Sequence, residues 1–477
     1  MAIFYRPVDA VAADFIPYYH DGIHHLFYLK DWRNTEKHGD GTPWFHLTTS
    51  DNITFEELGE AIPRGPVGAQ DRWIFTGCVH AKDGIFHIFY TAHNHHRPMV
   101  GLNNETIAHA TSPDLVKWAK DPDFEIKPLP GFNDTDWRDP FVFWNEEAGE
   151  YQMLLAARKA DMPARHSGCT ARLGSADLLT WTGRRHLYAP DAYFTHECPD
   201  LFRIGDWWYL IFSEFSQTTQ TRYRMARSIE GPWLSPDDDS FDGRGWYAAK
   251  TSGDGHRRFA YGWLATRNQE RDTGEWQWGG NLVVHELRQR SDGTLASTLM
   301  QESYSSFTSI SVPIAQARFG AWEVSKGAAT YTRRDGCGIS ICEAMRDQSL
   351  IEATVRWDRE VQACGLLLRV SPDASSYYQI RIEPRRRRLV IDRWPRPGDQ
   401  SFMLERPLAC TSQTRLRCIV DGSCLVVYID DQSALSCRIY DHQTGDWGLF
   451  VDGGSADFTD LAQRTRPPTP LHPERHP

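Results

Sequence analysis

The sequence contains no apolar run of about 18 residues, so it predicts no transmembrane helix and no membrane partner. Its start, MAIFYRPVDA, has no basic stretch followed by an apolar segment, and we therefore expect no secretory signal. No Gly-rich phosphate loop precedes a helix and no Gly-x-Ser-x-Gly elbow occurs, which removes two common kinds of active site from consideration.

Positive charge is scarce, with 52 Lys and Arg against 63 Asp and Glu and a net charge of −11. A polyanion such as nucleic acid is therefore not expected as a partner. A basic run from Arg385 to Arg388 departs from this trend and lies between the strand-like segments YYQIRIEP and LVIDRW. We interpret it as a solvated hairpin turn, with a binding patch as the alternative.

Paired cysteines are also missing, because the ten cysteines form no C-x-x-C motif. Several lie within strand-like segments, such as Cys342 and Cys418. We interpret them as small buried side chains in a reducing compartment, which predicts a cytoplasmic location.

Helical periodicity is hard to find, whereas aromatic residues reach 12% and short alternating strands recur throughout. Five segments share a turn with a glycine followed by an aromatic-rich strand. The glycines of these turns are Gly22, Gly84, Gly149, Gly205 and Gly255. Repeats of roughly 50–65 residues can each hold four short strands, and five of them predict a five-bladed β-propeller.

The predicted fold is all-β, a five-bladed β-propeller followed by a β-sandwich. We assign the propeller to residues 1–300 and the sandwich to residues 312–464, where strand-like segments such as CGLLLRV and CLVVYID alternate with turns. The Pro-rich tail, residues 465–477, is expected to be disordered.

The repeat predicts a cluster of carboxylates. The residue about eight positions before the turn glycine is Asp14 in the first repeat, Thr76 in the second and Glu197 in the fourth. Asp139 takes this place in the third repeat, where the turn is longer. Equivalent positions surround a propeller axis, so the three acids should converge and at least one pKa must rise.

A carboxylic acid with a raised pKa beside an ionised carboxylate is the arrangement that glycoside hydrolysis needs. Two other interpretations of these acids stay open. They could cap strands and turns, or they could form a calcium site.

Three motifs then resemble glycoside hydrolase family 32, which contains invertases, inulinases and levanases. They are Asp14 with the following segment PYYHDGIHHLFY, Trp137-Arg138-Asp139-Pro140, and Glu197-Cys198-Pro199-Asp200. The likeness covers about residues 10–455 and extends to the propeller-plus-sandwich architecture of that family.

The resemblance implies roles for these residues. Asp14 is the expected nucleophile, Glu197 the acid/base, and Asp139 the group that binds sugar hydroxyls and stabilises the transition state. Arg138 is expected to hold the acids in their charge state and to contact the sugar.

The sequence departs from the family pattern at two motifs. Ala13 and Phe15 flank Asp14 where the family usually has Asn-Asp-Pro-Asn, and Phe75-Thr76-Gly77-Cys78 stands for the usual Phe-Ser-Gly-Ser. We expect Phe75 and Thr76 of this motif to bind the sugar, since Thr76 keeps a hydroxyl that can bond to it. Aromatic residues near the mouth should stack on the sugar or fill the cores between blades. These are Trp32, Trp73 and Trp263.

His93, His95 and His96 lack zinc-like spacing, so we expect them in a sugar site or on the surface, with no metal and no cofactor.

The family resemblance predicts a retaining β-fructofuranosidase that acts on a small carbohydrate. The alternatives are a furanosidase of the arabinofuranosidase type, a fructosyl transferase, and a carbohydrate-binding propeller without activity. The sequence leaves the oligomeric state open.

Overall fold

The computed structural model describes residues 2–333, 336–398, 403–409 and 412–467. The chain divides into two compact units. One unit is Tyr5–Thr266 with Gln277–Ala296, and the other contains Met1–Phe4, Arg267–Trp276 and Ser297–Pro477. No helix within the described ranges is long or apolar enough to cross a membrane.

The first unit is the predicted five-bladed β-propeller, built from successive antiparallel strands. The first blade contains β1 (Val11–His20), β2 (Ile23–Asp31), β3 (Trp44–Thr49) and β4 (Glu56–Ile62). The second contains β5 (Trp73–Lys82), β6 (Ile85–His93), β7 (Glu105–Ser112) and β8 (Ala119–Ile126). The third contains β9 (Arg138–Asn145), β10 (Glu150–Arg158), β11 (Gly168–Ser175) and β12 (Thr182–Gly183). The last two contain β13 (Glu197–Ile204), β14 (Trp207–Glu214) and β15 (Gln220–Ala226); and β16 (Trp246–Gly253), β17 (Arg258–Arg267), β18 (Trp276–Gln289) and β19 (Leu295–Thr298).

The predicted glycine turns connect the first two strands of each blade. Gly22 and Gly84, for example, lie in the β1–β2 and β5–β6 turns, and both adopt positive φ values of 83° and 79°. The propeller closes where β18 pairs with β1, with Ala12 opposite Gly280. Apolar side chains fill the spaces between neighbouring blades, as Phe27, Trp44 and Ile74 do between the first and second.

The second unit is a β-sandwich of two sheets. One contains β20 (Ser309–Ser311), β22 (Trp322–Ser325), β23 (Ala328–Thr332), β25 (Gln348–Trp357), β30 (Gln413–Asp421), β31 (Cys424–Ile429), β32 (Ser433–Arg438) and β34 (Ser455–Thr465). The other contains, in spatial order, β21 (Gln316–Phe319), β24 (Cys337–Ala344), β33 (Asp446–Asp452), β26 (Ala363–Val370), β27 (Tyr377–Glu383), β28 (Arg388–Trp394) and β29 (Leu404–Pro407). Their facing side chains form one apolar core that includes Leu366, Ile380, Leu416 and Trp447.

Helix is limited to short pieces within the described residues. They are α1 (Thr35–His38), α2 (Gln301–Ser305) and the 3-10 turns Arg97–Val100, Ala164–His166, Asn268–Glu270 and Pro384–Arg386. The last of these turns joins β27 to β28, so the basic run lies in a hairpin turn as predicted. Of the Pro-rich tail, residues 468–477 lie outside the described residues.

Candidate active site

The innermost strand of every blade contains a β-bulge near its start. In β1, residues 14 and 15 together oppose Tyr28, because Ala13 pairs with Leu29 and Ile16 pairs with Phe27. The same shift in register occurs in β5, β9, β13 and β16. The first bulge residues are Asp14, Phe75, Asp139, Cys198 and Ala248. A bulge bends its strand and changes the direction of the side chains at that point, and bulges are common beside active sites.

Four of the five first bulge residues have a positive φ: 46° at Asp14, 58° at Asp139, 51° at Cys198 and 52° at Ala248. Such backbone costs about 1–3 kcal/mol per residue and persists only where the surrounding structure enforces it. The bulge also frees backbone N–H groups for other partners. Cys198 N, for example, donates to Asp139 Oδ2 at 2.8 Å.

The bulges correct the predicted alignment of the acids. Asp14 and Asp139 are equivalent, but Glu197 lies one residue earlier, at the place of Arg138 in the third blade. Thr76 lies one residue later, as the second bulge residue of its strand. Counting from the turn glycine failed by one in each case. Gly205 is the first turn residue rather than the second, and β5 has one more paired residue after its bulge than β1 has.

Asp14 is held by two donors that carry no charge. Thr76 Oγ1 donates to its Oδ2 at 2.8 Å, and Trp263 Nε1 donates to its Oδ1 at 2.9 Å. Burial, followed by the negative charge of Asp139, raises the pKa of Asp14 to about 7. Burial likewise raises the pKa of Asp139 to about 6, although the positive charge of Arg138 opposes it. The prediction that at least one acid must have a raised pKa is confirmed.

Arg138 connects the acids. Its Nη2 donates to Glu197 Oε1 at 3.0 Å, its Nη1 lies 2.5 Å from Asp136 Oδ1, and its Nε lies 3.9 Å from Asp139 Oδ2. Burial alone would lower the pKa of Arg138, but the surrounding acids, Glu105 first among them, raise it above its ordinary value. Arg138 is therefore a positive charge placed among the acids, where it opposes the rise in the pKa of Asp139.

Glu197 has a second donor that the sequence analysis missed. Tyr247 O–H donates to Glu197 Oε2 at 2.5 Å, so the two carboxylate oxygens have different partners. Burial, followed by the charge of Glu197, raises the pKa of Tyr247 well above its ordinary value, so the phenol stays protonated. Tyr247 lies eight residues before Gly255, so reading the fifth repeat like the others would have found it.

These acids line a cavity of about 760 Å³ in the propeller unit. Asp14, Asp139, Glu197, Arg138 and Tyr247 are all at its surface. Three of the predicted aromatic residues also line it, namely Trp32, Trp73 and Phe75, and Trp278 joins them with 39% of its surface exposed. The cavity therefore combines carboxylates with aromatic faces, as carbohydrate sites do.

Two predicted sugar-binding residues do not line this cavity, which corrects the sequence analysis. Thr76 is fully buried and Trp263 is only 4% exposed. Both side chains are committed to Asp14, so they position the carboxylate instead of presenting a surface to the sugar. The sequence does not reveal which of the predicted side chains line the cavity, because this depends on the direction that each side chain takes in the folded blade.

The end of β2 and the segment between β2 and β3, of which the sequence analysis considered only Trp32, supply much of the cavity wall. Their lining residues are Asp31, Trp32, Arg33, Asn34, Thr35, Gly39, Asp40, Gly41 and Thr42. Asn34 caps α1 by accepting from Lys37 N at 3.0 Å. Arg64 donates to the carbonyl oxygens of His38, Gly39 and Gly41, which fixes the second half of the segment.

The three histidines of the TAHNHH segment pack behind the aromatic wall. His93 stacks on Phe75 with ring centroids 4.4 Å apart, and His95 lies 4.2 Å from the ring of Trp73. His96 also contacts Trp73. Across the described ranges, no group of three or more His, Cys, Asp or Glu side chains is placed to hold a metal ion.

The flanks of Asp14 are fully buried and cannot reach a ligand. Ala13 and Phe15 have no exposed surface, and Phe15 stacks on Tyr28 with centroids 5.6 Å apart. The family's usual asparagines correspond to Ala13 and Ile16, which are both buried and do not line the cavity. Sugar contacts near Asp14 must come from other parts of the cavity.

A cavity that combines clustered carboxylates with aromatic walls on a propeller has the groups that glycoside hydrolysis needs. The family model described as "Glycosyl hydrolases family 32 N-terminal domain" matches residues 16–298, and "Glycosyl hydrolases family 32 C terminal" matches residues 323–464. The chain belongs to glycoside hydrolase family 32 and is a glycoside hydrolase, as its motifs indicated.

Named relatives are distant in sequence but similar along their whole length. The chain is 22% identical over 483 residues to the levanbiose-producing levanase of Bacillus subtilis, covering 93% of this chain and 86% of the relative. The sucrose-6-phosphate hydrolase of Lactobacillus gasseri matches with a TM-score of 0.76 and 18% identity, over 98% of this chain and 93% of that one. Fructan 1-exohydrolase IIa of Cichorium intybus matches with a TM-score of 0.72 and 15% identity, over 98% and 97%. The all-β fold, a propeller followed by a sandwich, is confirmed.

Proposed function

We propose that this protein is a retaining β-fructofuranosidase that releases a terminal fructose from small, uncharged fructosides. The observation that carries the proposal is the different environment of two carboxylates on one cavity. Asp14 accepts from two neutral donors, whereas Glu197 accepts from a cation and a phenol. Two carboxyl groups with distinct environments can take two different roles in glycoside hydrolysis, and the family resemblance assigns attack to Asp14 and proton transfer to Glu197. Burial raises the pKa of Asp14 to about 7, so the proposed attack requires that Asp14 first give up its proton.

The proposed reaction proceeds in two displacements. Asp14 attacks the anomeric carbon of the fructosyl unit, and its ester bond forms as the bond to the leaving oxygen breaks. Glu197 gives its proton to that oxygen, and then takes a proton from the water that hydrolyses the ester. Asp139, which accepts from Cys198 N, also accepts hydrogen bonds from hydroxyl groups of the sugar.

The charge of the cavity supports a substrate without phosphate. Its described lining contains five carboxylates, Asp14, Asp31, Asp40, Asp139 and Glu197, but only two arginines. Arg138 is engaged by acids, and Arg33 donates to Thr266 Oγ1 at 3.0 Å and also to Gln277 and Trp278. A phosphate group needs cationic donors that are available to it, and repulsion by the acids would weaken its binding further.

Relatives include both kinds of enzyme by name, levanases and β-fructofuranosidases on one side and sucrose-6-phosphate hydrolases on the other. Related proteins have been solved with 1-kestose and with sucrose. We place this chain with the enzymes that act on neutral sugars. The cavity of about 760 Å³ suits a short saccharide. At least eight cysteines among the described residues are free thiols, which supports the proposed cytoplasmic location.

The test is a panel of sucrose, sucrose 6-phosphate, 1-kestose, inulin, levan and an aryl arabinofuranoside, with released sugars identified by chromatography. We expect free fructose from sucrose and 1-kestose, and a kcat/KM for sucrose 6-phosphate at least tenfold below that for sucrose. Preference for sucrose 6-phosphate would contradict the proposed substrate class. Release of arabinose without fructose would contradict the fructosidase activity, and longer saccharides in place of free fructose would indicate transfer.

A further inference from the structure

A second cavity, of about 810 Å³, lies within the sandwich unit. It is formed on the face of the β33–β26–β27–β28 sheet opposite the apolar core. Alternate residues of β27, Gln379, Arg381 and Glu383, point into it, while Ile380 and Ile382 between them belong to the core. The proposed activity uses none of these residues.

The cavity is concave because the first residues that β26 presents on this face are small, and the larger Leu367 further along packs in an apolar cluster with Phe450. Ala363 lines the floor, and Gly365 follows it on the same side of β26. Gly365 lies between Phe450 on β33 and Arg381 on β27. A Cβ at Gly365 would lie 2.0 Å from the carbonyl oxygen of Ile380, so the position excludes any larger residue.

Five arginines line this cavity against two carboxylates, in a chain whose net charge is −11. The arginines are Arg381, Arg385, Arg386, Arg388 and Arg396, and the carboxylates are Glu383 and Asp452. Two further carboxylates pair with arginines of this wall, Asp392 with Arg381 and Arg396, and Glu405 with Arg388. The excess positive charge therefore lies at the turn, and a concave site with such an excess attracts anionic ligands.

The inner arginines are held in place. Glu383 accepts from Arg381 Nε and from Arg388 Nε, both at 2.8 Å. Asp392 accepts from Arg381 Nη1 at 3.1 Å and from Arg396 Nη2 at 2.9 Å. Arg381 is only 9% exposed, so this network is a built and largely desolvated wall.

The two arginines of the 3-10 turn are the ones that a ligand can recruit. Arg385 Nη2 donates to the carbonyl oxygen of Glu360 at 3.1 Å, and no carboxylate among the described residues pairs with its guanidinium. Arg386 lies 3.5 Å from Glu383, whose oxygens already bond to Arg381 and Arg388, and its side chain is 69% exposed. Guanidinium groups of this kind bind phosphate in a bidentate manner.

We propose that this sandwich cavity is a binding site for a small phosphorylated sugar. Arg385 and Arg386 hold the phosphate at the mouth. Gln362 and Gln379 can donate to and accept from the hydroxyl groups of the sugar, and Asp452 accepts from them. The site is separate from the proposed hydrolysis, and it explains why the basic run lies in a turn beside a cavity instead of on a flat surface.

Cys337 gives the site a local readout, because it lines the same cavity. The test measures alkylation of Cys337 by peptide mass spectrometry, together with calorimetric titration, using glucose 6-phosphate, inorganic phosphate and fructose as probes. We expect glucose 6-phosphate to slow alkylation of Cys337 at least fivefold, inorganic phosphate to slow it less, and fructose to have no effect.

The variant R385Q/R386Q should raise the Kd for glucose 6-phosphate at least tenfold and abolish protection of Cys337. The matched control is R356Q, which removes an exposed arginine from β25 in the opposite sheet. Sucrose hydrolysis should be the same in all three proteins. Equal binding by R385Q/R386Q and the parent chain, or no protection of Cys337 at millimolar glucose 6-phosphate, would overturn the proposal. Equal protection by fructose would show a neutral sugar site and would also overturn it.

Discussion

Glu197 and Arg138 occupy the same position in two neighbouring blades, one residue before the bulge, and their side chains meet at 3.0 Å. Tyr247 occupies that position in the fifth blade and donates to the other oxygen of Glu197. This one repeated position thus supplies the carboxylate of Glu197 and the two groups that donate to it, a guanidinium and a phenol. The first bulge residues, including Asp14 and Asp139, supply the other acids.

The substitution E197Q should lower kcat for sucrose by about 10²–10⁴-fold, because a general acid contributes that much when the leaving group is poor. Substrates with an activated aryl leaving group should lose less, since they need little proton donation. Steady-state kinetics on both substrates measures the difference, with circular dichroism to verify folding. The matched control is E57Q, a glutamate that also accepts from a tyrosine. An unchanged rate with sucrose would remove Glu197 from the mechanism.

Replacing Tyr247 by phenylalanine should lower kcat roughly tenfold, because Glu197 loses one of the two donors that fix its orientation. A hydrogen bond to a charged group contributes about 1.5–3 kcal/mol. KM should change little if Tyr247 acts on Glu197 and not on the substrate. Y5F is the control, since it removes an O–H that donates to Glu57 at 2.8 Å in the same unit. An equal effect of Y5F and Y247F would assign Tyr247 to stability alone.

The variant D14N should be more stable than the parent at pH 8, and this difference in stability should be smaller at pH 5. The pKa of Asp14 is raised from 3.8 to about 7 in the folded protein, so the proton favours folding. That contribution is complete below about pH 4 and is lost as the pH rises through 7, whereas asparagine does not ionise.

The gain of D14N at pH 8 has an upper limit of about 4 kcal/mol in the free energy of unfolding. Urea denaturation at both pH values measures it. The control D206N removes an exposed aspartate and should show the same small difference from the parent at pH 5 and pH 8. A gain from D14N that does not depend on pH would contradict the raised pKa.

Treatment with EDTA should leave the activity unchanged. The carboxylates of the cavity are bonded to protein donors: Asp14 to Thr76 and Trp263, and Glu197 to Arg138 and Tyr247. A metal ion would have to displace these donors. The measurement compares rates before and after chelation and dialysis. Loss of activity that calcium or zinc restores would show that the acids bind a metal.

The first sugar released should retain its anomeric configuration. If Asp14 is a nucleophile, hydrolysis proceeds through two inversions at the anomeric carbon, and the net result is retention. NMR of the product during the first minutes, before mutarotation, decides the outcome. An inverted product would mean that Asp14 activates water as a base, and it would favour the arabinofuranosidase-like alternative.

The sequence was sufficient for the architecture because glycine turns and alternating strands are local signals. Glycines such as Gly22 and Gly84 indicated the turn between the first two strands of a blade. The motifs around Asp139 and Glu197 indicated the acids. The exact register was not predictable, because a bulge leaves no mark in a pattern of apolar and polar residues. That is why Glu197 and Thr76 were each assigned one position away from their true alignment.

The direction of side chains was also beyond the sequence. Trp73 begins β5 and lines the cavity, whereas Trp263 lies within β17 and is buried against Asp14. Apart from Trp32, the wall between β2 and β3 was overlooked for another reason. Its residues, such as Asn34 and Asp40, form no chemical motif and become relevant only when the fold brings them to the mouth.

Ala248 gives the repeated bulge an evolutionary meaning. It is the first bulge residue of the fifth blade, has a φ of 52° and lines the cavity, yet its methyl group offers nothing to a sugar. Left-handed backbone accommodates asparagine and aspartate more readily than alanine. A single codon change could therefore add a polar group to the wall without rebuilding the blade. Substrate preference in such a scaffold can diverge through a few interchangeable sites, while the rest of the chain drifts to the low identities seen among its relatives.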